Sequence, residues 1–270
     1  MKDTFLDYFG LKKTPFGKDL SRQELFSYPQ LNELEELIQL TVSRRSMGLI
    51  TSRAGCGKTT ACRAFLSELP ARQYKIIYLG QDYRGASLFA RLANELGLRP
   101  ELARNYRSFH ISKRLENEVS AGGKEIVLVA DEAHLLERPT MEELRLLTNS
   151  EMDRKSLVSI IVMGQIWIRD RLKYREYEAL NQRLSLRYSL EGLSEKETSD
   201  YVHHHLTLAG ANGDGLFTAD ALKQIFISSG GILRVINNIC LAAMLKAKSL
   251  KRNVIDGALV KRVVKEQEDG

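Results

Sequence analysis

Apolar residues recur along this chain in two alternating rhythms. Short continuous runs at 47–51, 75–79, 125–130, 157–163 and 186–190 are rich in Ile, Val, Leu and Met. Runs of this length without polar alternation suit strands buried on both faces. Between them, apolar positions fall three and four apart. After Pro29, the spacing of Leu31, Leu34, Leu37, Ile38 and Val42 predicts a helix to about Arg45. Further helices are expected near 59–69, 86–96, 109–120, 140–150 and 176–184. Alternating strands and helices predict an α/β fold: a parallel sheet of five strands covered on both faces. After about Leu193 the strand runs stop. Helical patterns near 194–210, 218–229, 231–249 and 256–267 are separated by glycine-rich breaks, including 210–215 and Gly230-Gly231. The expected organisation is a lead segment at 1–28, an α/β core at 29–193 and a helical lid at 194–270.

Composition refines this only slightly. A hydrophobic content of 43% supports a sizeable core. Lys and Arg outnumber Asp and Glu by 40 to 34, a net charge of +6. That excess permits a polyanionic partner and equally fits a solvated basic surface. Cys56, Cys62 and Cys240 show no metal-ligand spacing, and an odd, low count suits a reducing compartment. The N-terminus lacks the apolar stretch of a signal peptide, and no run approaches the roughly 20 apolar residues that cross a bilayer. A cytoplasmic protein with no membrane partner is expected.

The chemistry begins at residues 52–59, SRAGCGKT. This is a GxxxxGK[ST] phosphate-binding loop except that Ser52 stands at the first glycine. It lies between an apolar run and a helix-forming run, the setting such a loop requires. Backbone N–H groups of Ser52, Arg53, Ala54, Gly55, Cys56, Gly57, Lys58, Thr59 and Thr60 are expected to wrap a nucleotide's phosphates. Lys58 would reach the β/γ-phosphates and the Thr59 hydroxyl would ligate Mg²⁺. A second signal follows the run at 125–130, which ends in the carboxylate pair Asp131 and Glu132. A buried parallel strand delivers such residues to the ligand crevice. Asp131 would hold Mg²⁺, through water, and Glu132 would polarise the attacking water. An adjacent Asp-Glu pair points to ATPases that hydrolyse with water, with ATP and Mg²⁺ as cofactors. His134 is expected to pack or hydrogen-bond locally. Histidines 203–205, adjacent on a helix, point in different directions and read as a solvated face.

Together these motifs resemble the AAA+ P-loop NTPases. The segments FGLKKTPF at 9–16, DEAHLL at 131–136, ELRLLTN at 143–149, Gly164-Gln165 and GGILRVIN at 230–237 are similar to the ExeA-like branch. That branch includes ATPases named for a general secretion pathway and relatives paired with transposases. The resemblance implies a five-stranded parallel core with a C-terminal helical lid, and it implies roles for further residues. Gln165 matches sensor 1, which contacts the γ-phosphate or the lytic water. Arg183 matches the arginine finger that enters a neighbouring subunit's site, with Arg187 as the fallback. Arg234 matches sensor 2, reading the γ-phosphate from the lid. A charge supplied in trans implies a homo-oligomer, either ring or filament.

The secretion members continue into a membrane span and a cell-wall-binding portion, and nothing of that kind follows the lid pattern here. The shorter layout resembles TnsC/IstB-type transposition regulators. The expectation is therefore an ATP-dependent regulator that assembles on duplex DNA and recruits a transposase, with a secretion or envelope-assembly ATPase as the alternative. Arg84, Arg99, Arg104, Arg107 and Lys113 are the candidate DNA contacts. Such contacts would track the phosphate backbone with little regard for sequence.

Overall fold

The computed structural model describes residues 4–80, 88–97, 123–148, 158–211 and 215–268, with Lys113, Asn117 and Ser156. The expected helix at 109–120 lies almost wholly outside the described residues. The chain divides into two compact units: one of 30–52 and 61–190, the other of 1–29, 53–60 and 191–270.

The first unit is the α/β part. Strands β1 (Met47–Ser52), β2 (Tyr74–Leu79), β3 (Glu125–Ala130), β4 (Val158–Gln165) and β5 (Leu184–Leu190) form one sheet in the order β2-β3-β4-β1-β5. Every pairing is parallel. β1 is buried along its whole length, as its unbroken apolar run requires. The edge strands β2 and β5 alternate between covered and open positions. Leu49, Leu128, Ile160, Leu88 and Leu144 are fully buried members of one core cluster.

Among the described residues, helices α1 (Thr4–Phe9), α2 (Pro29–Ser43), α3 (Lys58–Ser67), α4 (Leu88–Glu95), α5 (Arg138–Leu147), α6 (Ile168–Arg171) and α7 (Glu178–Arg183) precede β5. Proline suits the first position of α2 because no N–H is needed there. The buried face of that helix, Leu31, Leu34, Ile38, Thr41 and Val42, keeps the helical spacing read from the sequence. Gly48 lets α2 approach β1: a Cβ there would lie 2.7 Å from Thr41 Oγ1.

The second unit is helical. α8 (Glu195–Leu208), α9 (Ala219–Ser229), α10 (Leu233–Ser249) and α11 (Gly257–Glu268) match the expected lid patterns to within a few residues. Ser194 and Glu197 form a reciprocal capping box at the start of α8, which satisfies N–H groups the helix leaves open. Thr218 accepts from Ala221 N–H to start α9, and Gly230 ends that helix in the left-handed conformation.

Residues 4–29 pack within this helical unit. The Lys12 N–H donates to the Ala209 carbonyl at 2.7 Å. Phe16 is buried at φ +61°, an unusual conformation for a bulky residue, and its ring stacks on His205 at 5.3 Å. Phe26 stacks on Tyr28 and meets Tyr201 edge-on. His204 Nε2 lies 2.8 Å from the Glu24 carbonyl oxygen. The histidines therefore correct the expectation of a solvated face. His205 is 2% exposed and His204 is bonded, because aromatic residues distant in sequence cover them. Burial holds the His205 pKa down to about 4.

Candidate functional site

The phosphate loop belongs to the helical unit and leaves the sheet at the end of β1. Gly55 and Gly57 adopt φ +87° and +91°, conformations that glycine alone reaches without strain. Backbone N–H groups turned inward by such residues form an anion-binding concavity. The loop runs straight into the first turn of α3, whose leading N–H groups have no partner within the helix. Lys58 is 6% exposed, and Thr59, beside it on that first turn, is open to solvent. Arg53 and Ala54 are exposed, Cys56 is buried, and Thr60 is half-buried.

The departure at Ser52 has a conformational explanation. Ser52 is the last residue of β1, fully buried, and pairs with Gln165 on β4 and Leu190 on β5. Positive φ begins only at Gly55. A side chain is accommodated in extended backbone, so the first glycine of the pattern is dispensable here.

The loop is held by the start of α10. The Arg234 N–H donates to the Gly55 carbonyl at 3.1 Å. A Cβ on Gly55 would lie 2.9 Å from Arg234 Cβ, and one on Gly57 would lie 2.8 Å from Leu233 Cδ1. The glycines thus serve twice: they turn the backbone and they admit the helix. Arg234 itself is exposed, its stem against the loop.

The carboxylates lie in the α/β unit. Asp131 N–H donates to the Leu79 carbonyl, which extends the β2–β3 ladder by one residue and leaves Asp131 6% exposed. Its two oxygens accept from Tyr78 Oη (2.5 Å) and from the Glu132 N–H (2.8 Å). Burial and the Asp131 hydrogen bond push the Tyr78 hydroxyl well above its ordinary pKa, so it stays a donor. Glu132 sits at φ 50°, ψ 35°, a left-handed conformation that costs a side-chain-bearing residue about 1–3 kcal/mol. Such strain is tolerated where it aims a functional group. His134 is 4% exposed, with Nε2 3.3 Å from Glu132 Oε2 and Nδ1 accepting from the Gln165 N–H at 3.3 Å. His134 thus hydrogen-bonds locally, as expected. Gln165 closes β4 and is half-buried.

Arg183 ends α7 and is half-buried. The Arg187 guanidinium donates to the Asn181 carbonyl (2.7 Å) and to Asn181 Oδ1 (2.8 Å). Of the basic candidates, Lys113 is exposed, while Arg84, Arg99, Arg104 and Arg107 lie outside the described residues. Sequence reasoning missed Tyr78. Its signal was its place one residue from the end of β2, where a side chain emerges at the same sheet edge as Asp131. Among the described residues no three His, Cys, Asp or Glu side chains gather into a metal site.

Residues 40–172 match the AAA domain family model. General secretion pathway protein A of Aeromonas hydrophila is 32% identical over 248 residues, which are 90% of this chain and 45% of that protein. The chain therefore spans less than half of this curated relative. The Aeropyrum pernix ORC2 protein in ADPNP–ADP complexes superposes with a TM-score of 0.67 at 16% identity, over 93% of this chain and 71% of that one. The Aeropyrum pernix ORC1 protein in complex with DNA gives 0.64 at 18% identity, over 94% and 67%. The RuvB Holliday junction branch migration motor of Thermotoga maritima gives 0.58 at 18% identity, over 93% and 72%. At these identities the structural likeness speaks to the fold. Among the described residues no helix is long and apolar enough to cross a membrane. With a phosphate loop after β1, a parallel sheet in the order β2-β3-β4-β1-β5 and an AAA domain matched over residues 40–172, the chain carries an AAA domain on the AAA+ P-loop fold.

Proposed function

We propose that this chain hydrolyses ATP between its own copies and uses the cycle to assemble on duplex DNA, where it regulates transposition by marking a target and recruiting a transposase. The observation that carries the ATP-dependent part is the joint between the phosphate loop and the lid. Gly55 and Gly57 hold an anion-binding backbone, and the Gly55 carbonyl is bonded to the residue that matches sensor 2. A phosphate seated in that loop acts directly on the Arg234 segment.

In this reading Lys58 binds the β/γ-phosphates, Gln165 contacts the γ-phosphate or the water, and Arg234 completes the phosphate contacts. Arg183 enters a neighbouring copy's site. Thr59 and, through water, Asp131 would hold Mg²⁺, which when bound would draw charge from the phosphate oxygens. Glu132 polarises water with one carboxylate oxygen while the other faces His134. Glu132→Gln should retain ATP and lose turnover by about 100-fold or more. Normal turnover in that variant would overturn the assignment.

The DNA part is supported by the net charge of +6 and by a fold shared with the Aeropyrum pernix ORC1 protein in complex with DNA. A second reading, an ATPase of a secretion or envelope-assembly system, is favoured by the Aeromonas hydrophila relative, whose similarity runs through 90% of this chain. The two differ in solution. Binding to random-sequence duplex DNA, titrated with salt and with a slowly hydrolysed ATP analogue, should be ATP-dependent and should weaken steeply with salt under the first reading. Absence of binding at low salt would refute that reading and leave the second.

A further inference from the structure

We infer that His134 is a positioning residue that sets the orientation of Glu132 according to the position of the end of β4. The inference rests on the reading of Glu132 as the residue that polarises water. His134 bridges two groups with two different nitrogens. Nδ1 accepts from the backbone N–H of Gln165, and an amide nitrogen can only donate, so Nδ1 carries no proton. In the neutral ring the proton is therefore on Nε2, which faces Glu132 Oε2 at 3.3 Å. One ring thus joins the residue at the sensor-1 position to the carboxylate at the catalytic position.

The surroundings fix the ring. His134 is 4% exposed, its carbonyl accepts from the Arg171 guanidinium at 3.1 Å, and the Trp167 ring meets it edge-on at 4.6 Å. Arg171 is itself held by Tyr177 Oη. Gly164 leaves room for this packing: a Cβ there would lie 3.5 Å from the His134 backbone nitrogen and 3.3 Å from Ile168 Cδ1. The Glu132 backbone stands in a left-handed conformation, with its N–H bonded to Asp131 and its carbonyl accepting from the Leu135 N–H. Within that turn the ring holds one carboxylate oxygen of Glu132 at 3.3 Å. A shift of the β4 end, where Gln165 would meet a γ-phosphate, passes through Nδ1 to the imidazole and from Nε2 to the carboxylate.

The test separates the two nitrogens. Asn places an amide oxygen near Nδ1 and has nothing at Nε2; Gln places an amide nitrogen near Nε2 and has nothing at Nδ1. Single-turnover hydrolysis and binding of a fluorescent ATP analogue are measured for the wild type, His134→Asn, His134→Gln, His134→Leu and Glu132→Gln. His134→Asn and His134→Leu should lose about 10- to 100-fold in the hydrolytic step with unchanged nucleotide affinity, the scale of a hydrogen bond to a charged group. His134→Gln, which restores the contact to Glu132 but not the one to Gln165, should recover only part of that loss. Melting temperatures identify any variant that fails to fold, and the Asn–Gln contrast stands if only His134→Leu is lost. If Glu132→Gln is inactive while His134→Asn hydrolyses like the wild type, the role of His134 is refuted and that of Glu132 stands. Glu132→Gln at wild-type rate removes the reading on which both depend.

Discussion

Gly55→Ala places one methyl group where the phosphate loop meets the start of α10. At φ +87° an L side chain costs roughly 1–2 kcal/mol. The new Cβ would also lie 2.9 Å from Arg234 Cβ, an atom anchored directly to the helix backbone, and 3.1 Å from Ile232 Cγ2. Loop and helix must part, which lengthens the 3.1 Å bond from Arg234 N–H to the Gly55 carbonyl. Losing that bond is worth about 1 kcal/mol. The sum, about 2–3 kcal/mol against the phosphate-binding form, corresponds to roughly 30- to 140-fold weaker nucleotide affinity. Gly57→Ala is the matched comparison. It carries the same backbone strain, but its Cβ meets only the Leu233 Cδ1 methyl, which can rotate away, so the loss should be about tenfold. Titration of a fluorescent ATP analogue into each variant reads both values. If Gly55→Ala binds like the wild type, the loop does not need its left-handed conformation and the argument for the lid joint fails.

Restoring the pattern glycine with Ser52→Gly should leave nucleotide affinity unchanged and cost about 0.5–1 kcal/mol of stability, because Ser52 is a buried strand residue; tighter binding would contradict that. Acidification should weaken the helical unit through His205. Its folded pKa, about 4, lies below the ordinary 6.5, so its contribution is complete above pH 6.5 and is lost as pH falls from 6.5 towards 4. The loss should reach at most ~3 kcal/mol. His205→Phe should flatten the fall in melting temperature over that range, and an unchanged pH profile would exclude His205 as its source. Arg183→Ala should bind ATP as well as the wild type but lose roughly 10³-fold in turnover. Turnover per chain that still rises with protein concentration in that variant would move the finger elsewhere.

Local pattern was enough for the sheet interior and the lid. The run at 125–130 is β3 to the residue, and the four lid helices were visible because each keeps a 3.6-residue apolar rhythm between glycine breaks. β5 was read two residues short, since an edge strand exposes alternate positions and loses the continuous run. The loop and the Asp131-Glu132 pair were legible because phosphate chemistry demands those residue types in that order. Long-range contact was not legible. Residues 1–28 read as a lead segment because nothing local shows Phe16 stacking on His205 or Glu24 meeting His204. Tyr78 was hidden for the same reason: its partner Asp131 is reached across neighbouring strands. The departure at Ser52 is one of letters alone, since positive φ in the loop falls at Gly55 and Gly57.

Grouping residues 53–60 with residues 191–270 bears on how relatives of this protein can be recombined. A chimera that exchanged only the C-terminal helices would set a native Gly55 carbonyl and a native Gly57 against foreign side chains at 232–234. The workable seam runs on either side of the phosphate loop, so that 53–60 is exchanged together with 191–270 as one discontinuous cassette. Gene shuffling that respects only contiguous boundaries would separate these two pieces, and libraries built that way should be poor in nucleotide-binding survivors.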